Sequence, residues 1–230
     1  MKAADKAFLY KLVLSISIGI NVLILVLYVI ETYLPQKAHL KATNETWHVE
    51  RKVLFQQLTI DTQSICLMGN SIIERFPAQE MLGSLRIKNR GIAGELSSSI
   101  FERCRQTAAY RPAKMFIESS LNDLFNNVAP NTILAQLSST LDTIAAISPS
   151  TQVYLLTMLP ASQFAEKVSQ YNRQLQALCK QKNIPCIEVG SKLLDPQTGT
   201  YPKAFTTDGI HLSGAGYRAF SDVLKPFIVE

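Results

Sequence analysis

Histidine is scarce in this chain: of 230 residues only His39, His48 and His211 are histidine. The four cysteines, Cys66, Cys104, Cys179 and Cys186, form no CxxC pair, and no histidine lies near them in sequence. That excludes the usual spacings of a zinc site. A GxxxxGK[ST] loop is missing, and the Gly-rich stretch Asn89–Glu95 lacks the spacing of a dinucleotide fingerprint. Lysine and arginine exceed aspartate and glutamate by 23 to 18, yet they are scattered and form no basic run interleaved with aromatics. Nucleic acid is therefore not the expected partner.

What is abundant is apolar surface. A hydrophobic fraction of 47% against 18% charged predicts a packed core rather than disorder. Part of that apolar content is one run, Leu12 to Ile30, without a charge for about 19 residues. A helix of that length crosses a hydrocarbon layer of roughly 30 Å. A cleaved secretory signal has a shorter apolar region, about 7–15 residues, and a small-x-small cleavage site. Here the run is followed by Glu31, Thr32, Tyr33, Leu34 and Pro35. A buried core helix is disfavoured because both faces are apolar, with Ser15, Ser17 and Asn21 the only polar interruptions. The run reads as an uncleaved signal anchor. Lys2, Lys6 and Lys11 precede it and Glu31 follows it, which places the N-terminus in the cytoplasm and the remainder outside, the periplasm if the cell is Gram-negative.

The expected organisation is a cytoplasmic tail (1–11), a transmembrane anchor (12–30), a connector (31–62) and one folded domain (63–230). The connector is read as polar and ending in a short helix capped at Thr43 or Asn44, with Trp47, Arg51, Leu54, Phe55 and Leu58 on one face. An extracytoplasmic setting permits disulfides, and Cys179 and Cys186 lie close in sequence. The alternative, favoured by the apolar-periodic setting of each cysteine, is four small buried hydrophobes.

Beyond residue 62 the pattern alternates. Short β-rich runs at Ser64–Met68, Leu85–Asn89, Lys114–Glu118, Gln152–Thr157 and Ile184–Val189 are separated by helix-period stretches at Ile72–Met81, Ser98–Ala109, Ile133–Ile147, Gln163–Lys182 and Gly214–Phe227. Strands joined by helices of this length predict a three-layer α/β/α sandwich, flavodoxin-like, on a parallel sheet of about five strands. Chemistry in such sheets gathers beyond the carboxyl ends of the strands.

Four segments fall there. Met68-Gly69-Asn70-Ser71-Ile72-Ile73-Glu74 follows the first strand and sets Ser71 at a helix N-terminus, where free N–H groups favour a developing anion; Ser71-x-x-Glu74 also reads as a capping box. Asn89-Arg90-Gly91-Ile92-Ala93-Gly94-Glu95 follows the second, where Gly94 can offer its backbone N–H without side-chain obstruction. Glu118-Ser119-Ser120-Leu121-Asn122-Asp123 closes the third, where Asn122 is either an oxyanion donor or a turn residue. Thr207-Asp208-Gly209-Ile210-His211 precedes the last helix; at this spacing Asp208 can fix the tautomer of His211. His211 is the one histidine of the domain, so a histidine-dependent reaction has a single candidate there.

In sequence order these blocks resemble the SGNH (GDSL-like) hydrolases. The resemblance covers roughly Trp47 to Glu230 and includes the lead-in Trp47, Arg51, Phe55 and Leu58, which looks like bacterial GDSL-type acylhydrolases. It implies a serine esterase with Ser71 as nucleophile, His211 as base and Asp208 as its orienting carboxylate. The oxyanion hole would be made of Ser71 N–H, Gly94 N–H and the Asn122 side chain. The family implies no metal and no cofactor. Its substrates imply short acyl esters, particularly O-acetyl groups on carbohydrate or envelope glycan. Transfer of the acyl group to a glycan hydroxyl, a lysophospholipid substrate, or a silent glycan-binding module are the alternatives. Three positions depart from the commonest pattern: Asn70 replaces an Asp, Ser120 a Gly, and Glu95 an Asp.

Overall fold

The computed structural model describes residues 3–159, 161, 164–190, 193–195, 197 and 201–228. Two units are distinguished, residues 1–50 and 51–230.

The first unit is helical. Helix α1 (Ala3–Tyr28) passes through a π-helical turn (Val29–Tyr33) into α2 (Leu34–Gln57). The stretch Phe8–Tyr33 has a mean hydropathy of 2.7 and none of it is buried, so it is long and apolar enough to cross a membrane. The connector expectation is corrected here. The backbone is already helical from Leu34, so no helix begins at Thr43 or Asn44. Leu54 and Leu58, placed on one apolar face by periodicity, remain exposed.

In the second unit five parallel strands, β1 (Ile65–Gly69), β2 (Ile87–Gly91), β3 (Lys114–Glu118), β4 (Gln152–Leu156) and β5 (Cys186–Ile187), lie in the order β2-β1-β3-β4-β5. Strand alternation divides the core in two. Cys66, Met68, Met115, Ile117 and Leu155 pack with α5 (Ser97–Ala108), α7 (Pro130–Ile147) and α8 (Ala165–Lys182). Ile65, Leu67, Phe116 and Leu156 pack with α3 (Ser71–Glu74), α4 (Ala78–Leu82) and α9 (Gly214–Ile228). Burial on both faces explains why β1 and β3 read as nearly continuous apolar runs. The three-layer α/β/α expectation holds.

Local differences have local causes. The helix expected over Ile72–Met81 is two helices, broken at Pro77, which lacks the N–H that a continuous helix needs. A short helix α6 (Asn122–Phe125), unmarked by any apolar period, follows β3. All four cysteines are free; Cys66, Cys104 and Cys179 are buried and Cys186 is half-buried. Burial pushes the Cys66 and Cys104 thiols up to about 12, as expected of small apolar core residues. Near the end of α2, the Phe55 ring faces the guanidinium groups of Arg51, Arg90 and Arg103 at 4.7, 5.0 and 5.9 Å from its centroid. This gives Phe55 of the lead-in a structural role.

Candidate active site

The switch in strand order falls at β1, flanked by β2 and β3, so the loops after these strands converge. Ser71 is the first residue of α3, but the cap belongs to its neighbour. Asn70 Oδ1 accepts the Ile72 N–H at 2.9 Å, and Asn70 Nδ2 donates to Ser120 Oγ at 2.9 Å. The capping box is therefore not used in the expected form: the Glu74 carboxylate accepts the Ala93 N–H instead. The Ser71 hydroxyl is released from capping and lies 3.0 Å from His211 Nε2.

His211 sits in a loop closed on itself. Thr206 pairs with Leu212 across it, and Thr207 N–H donates to His211 O at 3.1 Å. Gly209 turns the chain with φ +82°, a region that suits glycine. Asp208 Oδ1 accepts the N–H groups of Ile210 and His211 at 3.0 and 2.7 Å, while Oδ2 meets His211 Nδ1 at 2.6 Å. Partial burial would raise the Asp208 carboxyl. Hydrogen bonds from the His211 ring and from both backbone N–H groups outweigh it and hold the acid at about 2. An ionised Asp208 demands the proton on Nδ1, leaving the Nε2 lone pair for Ser71.

Asn122 lies across the mouth. One Nδ2 hydrogen is held by Glu95 O at 3.0 Å, which leaves the second free to donate. Ser120, fully buried, ties three loops together: its Oγ accepts from Asn70 Nδ2 and from Asn122 N at 2.9 and 3.1 Å, and donates to Glu95 O at 2.7 Å. The serine that stands where glycine is common thus joins the cap of α3 to Asn122. Gly94 occupies the β2 turn with φ +81° and is exposed. Of the five expected site residues, Ser71, Asn122 and His211 line one cavity of about 310 Å³, Asp208 stands behind His211, and Gly94 is not among the lining residues.

The rest of that cavity is mostly apolar, with Ile72, Leu121, Phe125, Met158, Leu159 and Ile210. One exception escaped the sequence reading. Glu118, at the end of β3, also lines it and is 3% exposed. Its signal was a carboxylate two residues beyond Phe116 on the same buried face of an apolar strand. Glu95 is buried as well, but there the Arg103 guanidinium answers it at 2.5 Å. Burial alone would raise the Glu95 carboxyl; Arg103, with hydrogen bonds from Ser99 and Lys52, holds it below its ordinary value. Arg103 also donates to Arg90 O at 2.6 Å and Gly69 O at 3.3 Å, so this pair braces the ends of β1 and β2.

Among solved structures, a candidate platelet activating factor from Streptococcus pneumonia is 28% identical, with 89% of this chain and 99% of that one covered and a TM-score of 0.71. A GDSL-like lipase from Bacteroides thetaiotaomicron VPI-5482 is 21% identical, covering 81% and 97%, with a TM-score of 0.67. The acetylxylan esterase Axe2 from Geobacillus stearothermophilus is 16% identical, covering 74% and 96%, with a TM-score of 0.63. No curated protein matches the chain. The family model described as GDSL-like lipase/acylhydrolase matches residues 69–219, a span that runs from the β1 terminus through Ser71, Asn122 and His211 into α9. The chain belongs to the GDSL-like lipase/acylhydrolase family.

Proposed function

We propose that this protein is a serine carboxyl-ester hydrolase acting on short acyl esters, O-acetyl groups of carbohydrate or envelope glycan foremost. It would be held at the membrane by the helix over Phe8–Tyr33, with the acylhydrolase domain on the extracytoplasmic side. The observation that carries the reading is the relay Ser71 Oγ to His211 Nε2 at 3.0 Å and His211 Nδ1 to Asp208 Oδ2 at 2.6 Å. In the proposed reaction His211 Nε2 takes the Ser71 proton as Oγ attacks the ester carbonyl. The oxyanion is met by Ser71 N–H and the free Nδ2 hydrogen of Asn122; Gly94, outside the cavity lining, is left out of this set. The imidazolium then protonates the leaving alkoxide, and the acyl group stays on Ser71. Water deprotonated by the same nitrogen releases the carboxylic acid and restores the serine.

The apolar wall of Leu121, Phe125, Met158, Leu159 and Ile210 favours a second reading of the acyl side, a lipid ester with a longer chain. The test is a panel of esters from acetate to long chains, on phenol, sugar and lysophospholipid alcohols, run on the full chain in mild detergent. Labelling by a fluorophosphonate that disappears in Ser71→Ala is expected. Wild-type protein that is folded, unlabelled and inert on every ester would refute the proposal. Transfer of acetyl to added saccharide in place of acetate release would make it a transferase.

A further inference from the structure

Glu118 is a buried acid with no cation beside it among the described residues. It pairs in register with Leu156, and its side chain lies on the α9 side of the sheet with that of Phe116. It is packed against the turn that carries the nucleophile: a Cβ placed on Gly69 would lie 2.7 Å from Glu118 Oε2. That oxygen has no hydrogen-bond partner among the described residues. From that turn the backbone N–H of Asn70, the residue immediately before Ser71, acts on the carboxyl and lowers it.

Among the described residues the surroundings supply no compensating charge. From the segment before the last helix Tyr201 approaches, its hydroxyl buried and also without a partner; from α9 comes Tyr217, whose hydroxyl donates to Ile72 O at 2.9 Å. β4 offers Leu156, and β1 with α3 offers Gly69 and Ile73. Across the cavity stand His211 and, behind it, Asp208. Arg75 acts on Tyr217, and no described lysine or arginine acts on Glu118.

We infer that Glu118 is a positioning residue of the Ser71 site, holding the Asn70 peptide as a neutral acid, and that its ionisation turns the site off. The inference rests on the ester-hydrolase reading above. As an uncharged carboxyl, Glu118 accepts the Asn70 N–H and fixes the turn that presents the Ser71 hydroxyl and N–H. Ionised, the same carboxyl sets an unscreened negative charge beside a cavity in which an oxyanion must form, and opposes that oxyanion through a medium of low dielectric. Desolvation raises the acid to about 8, against a small lowering by the Asn70 N–H. The neutral form therefore prevails at pH 7, and the ionised form takes over one to two units higher.

The experiment is the pH profile of kcat and KM for a soluble ester, on wild type and Glu118→Gln, full chain in detergent. Wild type is expected to lose kcat above pH 8, by about tenfold per unit if the ionised form is inactive, with KM little changed. Gln keeps an acceptor for the Asn70 N–H and cannot ionise. Its kcat at pH 7 is expected to fall severalfold, while the alkaline limb disappears. Glu118→Leu, which removes the acceptor, is expected to lose kcat at every pH. An independent readout is infrared difference titration of the protonated-carboxyl carbonyl band in wild type, expected to persist at pH 7 and vanish by pH 10. It decides the matter even if Glu118→Gln does not fold.

Superimposable wild-type and Gln profiles, or a carboxyl already ionised at pH 6, overturn the inference while leaving the hydrolase intact. Wild type that is inert at every pH overturns the hydrolase reading. The infrared titration then still accepts or rejects a neutral Glu118.

Discussion

Ser120→Ala tests the architecture of the site most directly. Ser120 Oγ makes three hydrogen bonds, to Asn70 Nδ2, Asn122 N and Glu95 O, and the residue is fully buried. Removing one oxygen opens almost no cavity, so the packing contribution is small and the polar one dominates. Two donors lose their acceptor, Asn70 Nδ2 and Asn122 N. At about 1–3 kcal/mol for each orphaned buried donor, the first near the upper value and the half-buried second near the lower, the cost is ~2–4 kcal/mol. Glu95 O adds little, because it keeps the Asn122 amide at 3.0 Å. With a urea slope of about 2 kcal/mol/M, the unfolding midpoint should fall by about 1–2 M. The second consequence is catalytic. The variant frees the cap of α3 and the backbone of Asn122 together, so kcat should fall at least tenfold while KM changes less. A cycle with Asn70→Ala should show coupling of at least about 0.5 kcal/mol, since the two residues share a bond. Urea titration by far-UV circular dichroism and ester kinetics on the same preparations give both numbers. A midpoint within about 0.2 M of wild type, with kcat unchanged, would show that Ser120 is an idle substitute for glycine and refute the reasoning.

Three further outcomes follow from the geometry. Asp208→Asn keeps an oxygen for the Ile210 and His211 N–H groups but offers an N–H to His211 Nδ1, moving the ring proton to Nε2; kcat should drop by ~10³–10⁴ with the fold intact, read by kinetics and thermal melting. Gly91→Ala would set a Cβ 2.1 Å from the Glu74 backbone nitrogen, a contact with no flexible partner to yield, and is expected to cost over ~3 kcal/mol and abolish soluble folded protein, checked by expression and melting of the variant. Stability should also depend on pH at two acids of opposite sign. Folding raises Glu118 from 4.5 to about 8, so the folded chain keeps a proton that the unfolded chain sheds, and stability falls as pH rises through that window. Folding lowers Asp208 from 3.8 to about 2, so its contribution is present above the unfolded value and lost as pH falls toward 2. Denaturant midpoints from pH 2 to 9, with Glu118→Gln flattening the fall between about pH 4.5 and 8, check both signs.

The order of strands and helices was legible because burial on both sheet faces imposes apolar runs and helix periods whatever the surroundings. Lys114–Glu118 and the start of α9 at Gly214 fall where the periodicity puts them. The relay was legible for a different reason. Ser71 follows β1 at the start of α3, Asp208 and His211 share one turn, and a parallel sheet with crossovers brings strand ends to one rim. The helix Ile72–Met81 was misread where a single proline outweighed a weak period. The helical start of α2 was hidden because Leu34–Asn44 carries no apolar stripe to announce it.

Composition and local spacing thus determined the fold class, the apolar N-terminal helix and the residue types available for chemistry, since each depends on neighbours in the chain. Only tertiary structure decided that Asn70 rather than Ser71 caps α3, that Ser120 joins three loops, and that Gly94 stands clear of the cavity lining. It also decided that Glu95 meets a guanidinium while Glu118 meets none among the described residues. Such facts turn on which groups from distant segments share a few cubic ångströms without water, and a linear pattern holds no record of that.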